Sequence, residues 1–180
     1  MTSRLNIAPY DPAWAAAFDA ERARLVEALG PLARRVDHHG STSVPGLAAK
    51  PVIDIQISVE SLEPPDAYAT PLRALGYTHL PHADDDLVCP FFYRPATWPH
   101  THHIHVVEHG GLEERRTLAF RDYLRDHADA KQAYAELKQR LAPEFSATDE
   151  GAREAYADAK TEFIERIIEL ALDAGYPRLQ

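Results

Sequence analysis

Between His38 and Val59 the chain reads HHGSTSVPGLAAKPVIDIQISV, its densest run of residues able to do chemistry. Gly40 and Ser41 open a loop of small residues in which Ser41, Thr42 and Ser43 carry hydroxyls and Lys50 a positive charge. Backbone N–H groups and hydroxyls in such a loop can close around an anion. Ser41 and Ser43 suit that donor role better than a nucleophile's. No placed base marks either for attack, although His38 and His39 are near in sequence. The loop runs into an alternating segment whose one acid is Asp54, and a carboxylate there can hold a cation. Lys50 either neutralises a phosphate or pairs with Asp54. Asp54 and Gln56 share one face of the expected strand, and Ile53, Ile55, Ile57 and Val59 make the other, apolar face.

A second set lies in HTHHIH, His100 to His105. On a strand His103 and His105 share one face, with His102 and Ile104 on the other. Two imidazoles at this spacing can co-ligate a transition metal such as Zn²⁺ or Mn²⁺. They can equally hydrogen-bond their neighbours or touch phosphate. His100 and His102 are expected at the surface. Arg121 and Arg125 sit four apart on one helical face, as do Tyr134 with Lys138 and Tyr156 with Lys160. Guanidinium groups suit phosphates and phenol rings suit stacking on a base. The alternative is ordinary decoration, with Arg121 and Arg125 in surface ion pairs to Asp122 and Asp126 that are worth little. Asp84 to Asp86 reads as a solvated turn, and Cys89 as a small buried side chain within an apolar strand.

The elements that must position these groups follow from hydrophobic period and turn residues. Asp11-Pro12 starts a helix, carried by Trp14, Phe18, Leu25, Val26 and Leu29 and ended by Gly30-Pro31. Arg34 to His39 is expected as a short strand and Val52 to Val59 as a strong one. Pro64-Pro65 opens a second helix that ends near Gly76. Tyr77 to Leu80, Val88 to Tyr93 and His102 to Val107 are further expected strands, with a loop at Pro95 to Pro99. Leu112 to Leu172 reads as helical, with breaks near His127 and around Pro143 to Thr148. The order gives an α+β fold, a mixed sheet flanked by helices with a C-terminal helical segment.

One domain is expected for 180 residues, with residues 1–111 an α/β core and 112–180 a helical tail packed on it. The net charge of −9 argues against a protein that coats nucleic acid. One cysteine excludes an internal disulfide framework. No stretch reaches the roughly 20 apolar residues that span a bilayer, and the N-terminus lacks a signal-peptide pattern. The expectation is a cytoplasmic protein with no membrane partner.

The Gly-Ser turn followed by Asp54-x-Gln56 resembles the nucleotidyltransferases of the DNA polymerase beta superfamily, in which a Gly-Ser turn holds triphosphate and two acids on the next strand bind divalent metal. Gln56 is a departure from that pattern. Over nearly its full length the chain resembles the GrpB family, on Tyr10-Asp11-Pro12-Ala13-Trp14, HHGSTSVPGLAAKPVIDI, His103 to Val107, FRDYLRDH (Phe120 to His127), Tyr134 with Lys138, and Tyr156 with Lys160. The resemblance implies a nucleotidyltransferase-like fold. Family members fused to dephospho-CoA kinase point toward nucleotides or coenzyme A. It implies a phosphate cradle of Gly40, Ser41, Thr42, Ser43 and Lys50, with Arg121, Arg125, Lys138 and Lys160 neutralising distal charge. A divalent metal (Mg, Mn or Zn) would lie on Asp54, Gln56, His103 or His105, where a histidine takes the place of a third acid. The expected activity is nucleotidyl or phosphoryl transfer on a nucleotide or other phosphorylated small molecule, with Asp54 and Ser41 at its centre. The alternatives are a catalytically silent sensor of such a ligand, for which Gln56 speaks, and a histidine-dependent metallohydrolase.

Overall fold

Asp11 starts the first helix as the sequence predicts: its carboxylate accepts the Ala13 N–H at 2.9 Å. The computed structural model describes residues 6–81, 87–145 and 150–178. Helix α1 (Ala13–Leu29) buries Trp14, Phe18, Glu21, Leu25 and Leu29 along one stripe. Val26, expected inward, is 44% exposed, and Glu21 takes the inward place. A buried carboxylate needs partners, and Glu21 has three: Tyr77 Oη donates at 2.9 Å, Arg94 Nη2 at 3.0 Å and Arg24 Nη1 at 2.8 Å.

Strands β1 (Ala33–His39), β2 (Ile53–Val59), β3 (Thr78–Leu80), β4 (Phe91–Arg94) and β5 (His102–Glu108) form one sheet in the order β1-β2-β5-β4-β3. β2 and β5 pair in parallel, and the other neighbours are antiparallel. Strand β4 begins three residues later than the sequence suggested, after Pro90, which has no N–H to give a ladder. Leu87 and Val88 are exposed there. The acidic run Asp84 to Asp86 lies outside the described residues.

The alternation of β2 divides the molecule. Ile53, Ile55, Ile57 and Val59 face a core shared with α1, with Tyr68 and Leu72 of α2 (Asp66–Ala74), and with Ile104 and Val106 of β5. On the opposite face helix α3 (Leu112–Asp126) packs against β1 and β5, and of the following helices α4 (Ala128–Leu141), α5 (Glu150–Asp158) and α6 (Thr161–Asp173), α4 and α6 pack on α3. A helix-sheet-helix layering results, so the polar face of β2 is buried rather than wet: Gln56 and Ser58 are 0% exposed. α3 is tied to that face through Glu114. This buried carboxylate accepts the Gly110 N–H at 2.8 Å, contacts His109 Nδ1 at 3.1 Å and lies 3.7 Å from Arg35. α3, α4 and α6 meet the Gly40 loop through Leu124, Tyr134 and Ile167, which pack on Val44 and Leu47. Among the described residues, no helix is long and apolar enough to cross a membrane.

Candidate functional site

At the end of β1, Gly40 turns the chain with φ 65° into a 3₁₀ turn at Ser41–Ser43. Positive φ suits glycine, and the space demands it as well. A methyl group on Gly40 would stand 2.3 Å from Asp54 Oδ2. The turn therefore lies directly on the Asp54 carboxylate. Its hydroxyls divide: Ser41 faces a cavity, and its side chain is hydrogen-bonded to Tyr134. Thr42 and Ser43 turn into the protein. Thr42 Oγ1 donates to the Val52 carbonyl at 3.1 Å and so accepts from His38 Nε2 at 3.0 Å. Ser43 Oγ donates to the Gly40 carbonyl at 2.7 Å.

Arg121 and Arg125 are also absorbed by the scaffold. Arg125 donates from Nε and Nη2 to the Ser43 carbonyl at 3.1 and 2.8 Å. Arg121 donates to the His38 carbonyl at 3.1 Å and pairs with Asp122 at 2.6 Å. Both guanidinium groups hold the Gly40 loop from behind and lie outside the cavity lining, as do Thr42, Ser43 and Gln56.

Register sets the centre of the site. His39, Asp54 and His103 stand opposite one another on β1, β2 and β5, and Asp37, Gln56 and His105 form the next row. Asp54 Oδ1 lies 3.3 Å from His103 Nδ1, and His103 Nε2 lies 3.2 Å from His100 Nδ1. Burial pushes the Asp54 carboxyl up, but the His103 hydrogen bond and charge outweigh it and hold the group well below the usual carboxylate range. A quarter of the Asp54 side chain remains exposed, enough to meet a ligand. Burial pushes His39 down to about 3 and His105 down to about 4, so both imidazoles are neutral at pH 7. The Nε2 of His39 has no hydrogen-bond partner among the described residues.

The cations come from three directions. Lys50 precedes β2, Lys138 is on α4 and Lys160 ends the turn after α5. All three line the cavity. The Lys50 and Lys160 ammonium groups lie 4.6 and 4.2 Å from the centre of the Tyr156 ring. Lys138 lies 4.7 Å from the Tyr134 ring and donates to the Ala48 carbonyl. Burial, then the Lys160 charge, pushes Lys138 down to about 7, with Asp54 opposing. Burial, then Lys50, pushes Lys160 down to about 8. Tyr134 and Tyr156 are themselves 4% and 1% exposed, so neither ring is open for a base to stack on.

The cavity measures about 900 Å³. It brings together Gly40, Ser41, Lys50, Asp54, Lys138 and Lys160 with His103 and His105. It also includes groups that the sequence reading passed over: His39, Phe91, Trp98 and the rim acids Glu154 and Asp158. Three expectations are corrected. His100 is half-buried and lines the cavity rather than the outer surface. His102 shares the face of Ile104, as the alternation required, and that face is the α1 side, where Arg94 and Thr101 contact it. Cys89 is partly exposed ahead of β4, with its Sγ 3.7 Å from His105 Nδ1. The run His100 to His105 was the signal that could have drawn His100 into the site. Nothing local marks Phe91 or Trp98.

A hard divalent cation needs several oxygen ligands on one point. Here Gln56 is fully buried with both amide atoms unpartnered among the described residues, and Asp54 faces an imidazole. Among the described residues no three His, Cys, Asp or Glu side chains converge on one position. The side chains as placed do not fit a resident metal.

A family model described as GrpB protein matches residues 4–170. The crystal structure of GrpB from Enterococcus faecalis superposes with a TM-score of 0.78 at 32% identity, covering 94% of this chain and 98% of that one. YqkA of Bacillus subtilis is 38% identical over 139 residues, covering 77% of this chain and 40% of YqkA. A dephospho-CoA kinase of Mycolicibacterium paratuberculosis is 35% identical over 158 residues, covering 75% of this chain and 39% of the kinase. The chain thus spans about two fifths of the length of those last two relatives. With the Gly-Ser turn set on Asp54 and the lysines gathered above it, the match from end to end places this chain in the GrpB protein family.

Proposed function

We propose that the cavity binds a phosphorylated small molecule, such as a nucleotide, with its phosphate between Lys50, Lys138 and Lys160 and the Gly40-Ser41 turn. One observation carries this reading. Lys138 is buried and Lys160 half-buried in one cavity with Lys50, and burial with a neighbouring ammonium, Lys160 beside Lys138 and Lys50 beside Lys160, pushes them down to about 7 and about 8. Burying like charges without a counter-ion is unfavourable, and a phosphate dianion removes that penalty through charge-assisted hydrogen bonds. The relative named dephospho-CoA kinase fits a ligand of this kind.

In the transferase form of the reading, the lysines stabilise charge on the transferring group, and the Asp54–His103 pair faces the attacking hydroxyl. Positioning and charge dominate such chemistry. A second form is a binding module without turnover. It is favoured by Gln56, a buried amide at the position where the nucleotidyltransferase pattern has its second acid.

Isothermal titration with sodium tripolyphosphate and with ATP, each with and without Mg²⁺, tests the reading. Wild-type protein is expected to bind, and Lys138→Met with Lys160→Met to weaken binding by about tenfold or more. Circular dichroism checks the fold of the variant. No heat from wild type with any of these compounds sinks the proposal. Phosphorus NMR of ATP with glycerol added as a hydroxyl acceptor then separates the two forms: a new phosphoester of glycerol, or phosphate released to water, with the matching ADP or AMP and pyrophosphate marks the transferase, and intact ATP favours the module.

A further inference from the structure

The cavity has two unlike ends. The lysines and Tyr156 come from the Lys50 loop and the C-terminal helices. The other end is built by β4, β5 and the loop between them, and it carries aromatic rings. Phe91 stands opposite His105 in the β4–β5 register, 5.0 Å from it and 5.0 Å from His103 by ring centres. Above Phe91, Trp98 meets His100 edge-on at 5.1 Å. His100 is backed by Tyr93, stacked at 4.2 Å and 20°. Rings that brace one another in this way form a stiff wall with apolar faces.

We infer that this wall is the seat of a planar aromatic ring, so that the ligand is a nucleoside phosphate rather than a sugar phosphate or a bare polyphosphate. The inference rests on the phosphate reading above and adds the other half of the ligand. Strand spacing supplies the scale. β4 lies two strands from β2, so Phe91, in the row of Gln56, stands about 10 Å across the sheet from β2 and one inward-facing row along from Asp54. A ligand that reaches both ends carries its phosphates and its flat ring that far apart. The volume of about 900 Å³ lies at the upper end of the roughly 300–1,000 Å³ usual for small-molecule sites. A pyrophosphate group would fill only a small part of it. Tyr134 and Tyr156, the phenols first expected to stack on a base, are buried under the lysines. Phe91 and Trp98, by contrast, are only half-buried and line the cavity.

Fluorescence titration tests the inference with ATP, tripolyphosphate and ribose 5-phosphate as probes. The chain has two tryptophans, and Trp14 is buried on the far side of the sheet, so Trp98 reports on the cavity. ATP is expected to quench emission, which the other two probes leave unchanged. ATP is also expected to bind at least about tenfold more tightly than tripolyphosphate, in line with base–aromatic stacking. Trp98→Ala removes that advantage and leaves tripolyphosphate affinity as it was. Phe91→Leu, which keeps apolar volume and loses the flat face, reduces the advantage in the same direction. Equal binding of ATP and tripolyphosphate overturns the ring seat and leaves the phosphate reading standing, as does an equal loss for both probes in Trp98→Ala. Binding of neither probe overturns both.

Discussion

Gly40 and Asp54 occupy adjoining space so closely that one side chain excludes the other. A Cβ on Gly40 would lie 2.3 Å from Asp54 Oδ2 and 2.8 Å from Asp54 Cβ. Gly46 has a similar positive φ of 79°, but nothing within 4 Å of the corresponding point. Both Gly40→Ala and Gly46→Ala incur backbone strain, and Gly40→Ala alone adds steric overlap. Urea unfolding is expected to show Gly40→Ala less stable than Gly46→Ala by about 1–3 kcal/mol, the usual range for overpacking. Equal losses would mean that the turn relaxes away from the carboxylate.

Lys138 links stability to pH in a direction fixed by its environment. Its folded value, about 7, lies below its ordinary 10.5. Between those values the unfolded chain holds more protons, so stability rises with pH across that window and is lost as pH falls to about 7. Lys138→Met removes this dependence. The melting temperature of the variant relative to wild type is expected to be higher at pH 7 than at pH 10. A difference independent of pH would show that the Lys138 amine is not depressed.

Three imidazoles, His38 and His39 buried and His105 half-buried, act in acid. Burial sets His38 at about 4, His39 at about 3 and His105 at about 4, against an ordinary 6.5. Each is neutral in the folded protein while its unfolded counterpart takes up a proton. Stability is therefore present above about 6.5 and falls as pH drops toward 4. Denaturant midpoints measured from pH 7 to pH 4.5 are expected to decline. His105→Gln is expected to decline less steeply than wild type, since one linked proton is gone. An unchanged slope in His105→Gln would contradict the neutral assignment.

Arg125 and Lys160 are expected to separate support from contact. Arg125→Ala leaves the Ser43 carbonyl without its two charged donors, a loss of about 1.5–3 kcal/mol for hydrogen bonds of this type. Hydrogen exchange at the Gly40 to Val44 amides speeds up accordingly. Lys160→Gln leaves exchange in that loop unchanged and weakens tripolyphosphate binding. If Lys160→Gln also loosens the loop, the lysine is part of the scaffold.

The strand carrying Asp54 was legible because its alternation is strict, and alternation likewise put His103 and His105 on one face of their own strand; that this face adjoins Asp54 followed from the resemblance and the parallel pairing of β2 with β5. Helix α1 was legible from its cap. The inward place of Glu21 was not, because its partners Tyr77 and Arg94 lie far along the chain. Arg121 and Arg125 show the same limit. Helical period put them on one face, but only packing decides whether that face meets the front or the back of the Gly40 loop. The aromatic wall left no local trace, since Phe91 and His105 meet through strand pairing.

The row His39, Asp54, His103 and Tyr93 runs straight across four strands. Sliding β2 by one residue would drive Asp54 into the hydrocarbon layer and turn Ile53 and Ile55 toward the lysines, since each step reverses the faces. A misaligned sheet would therefore be penalised twice, by a stranded anion and by exposed oil. The charge that equips the pocket also acts as a proofreader of the fold.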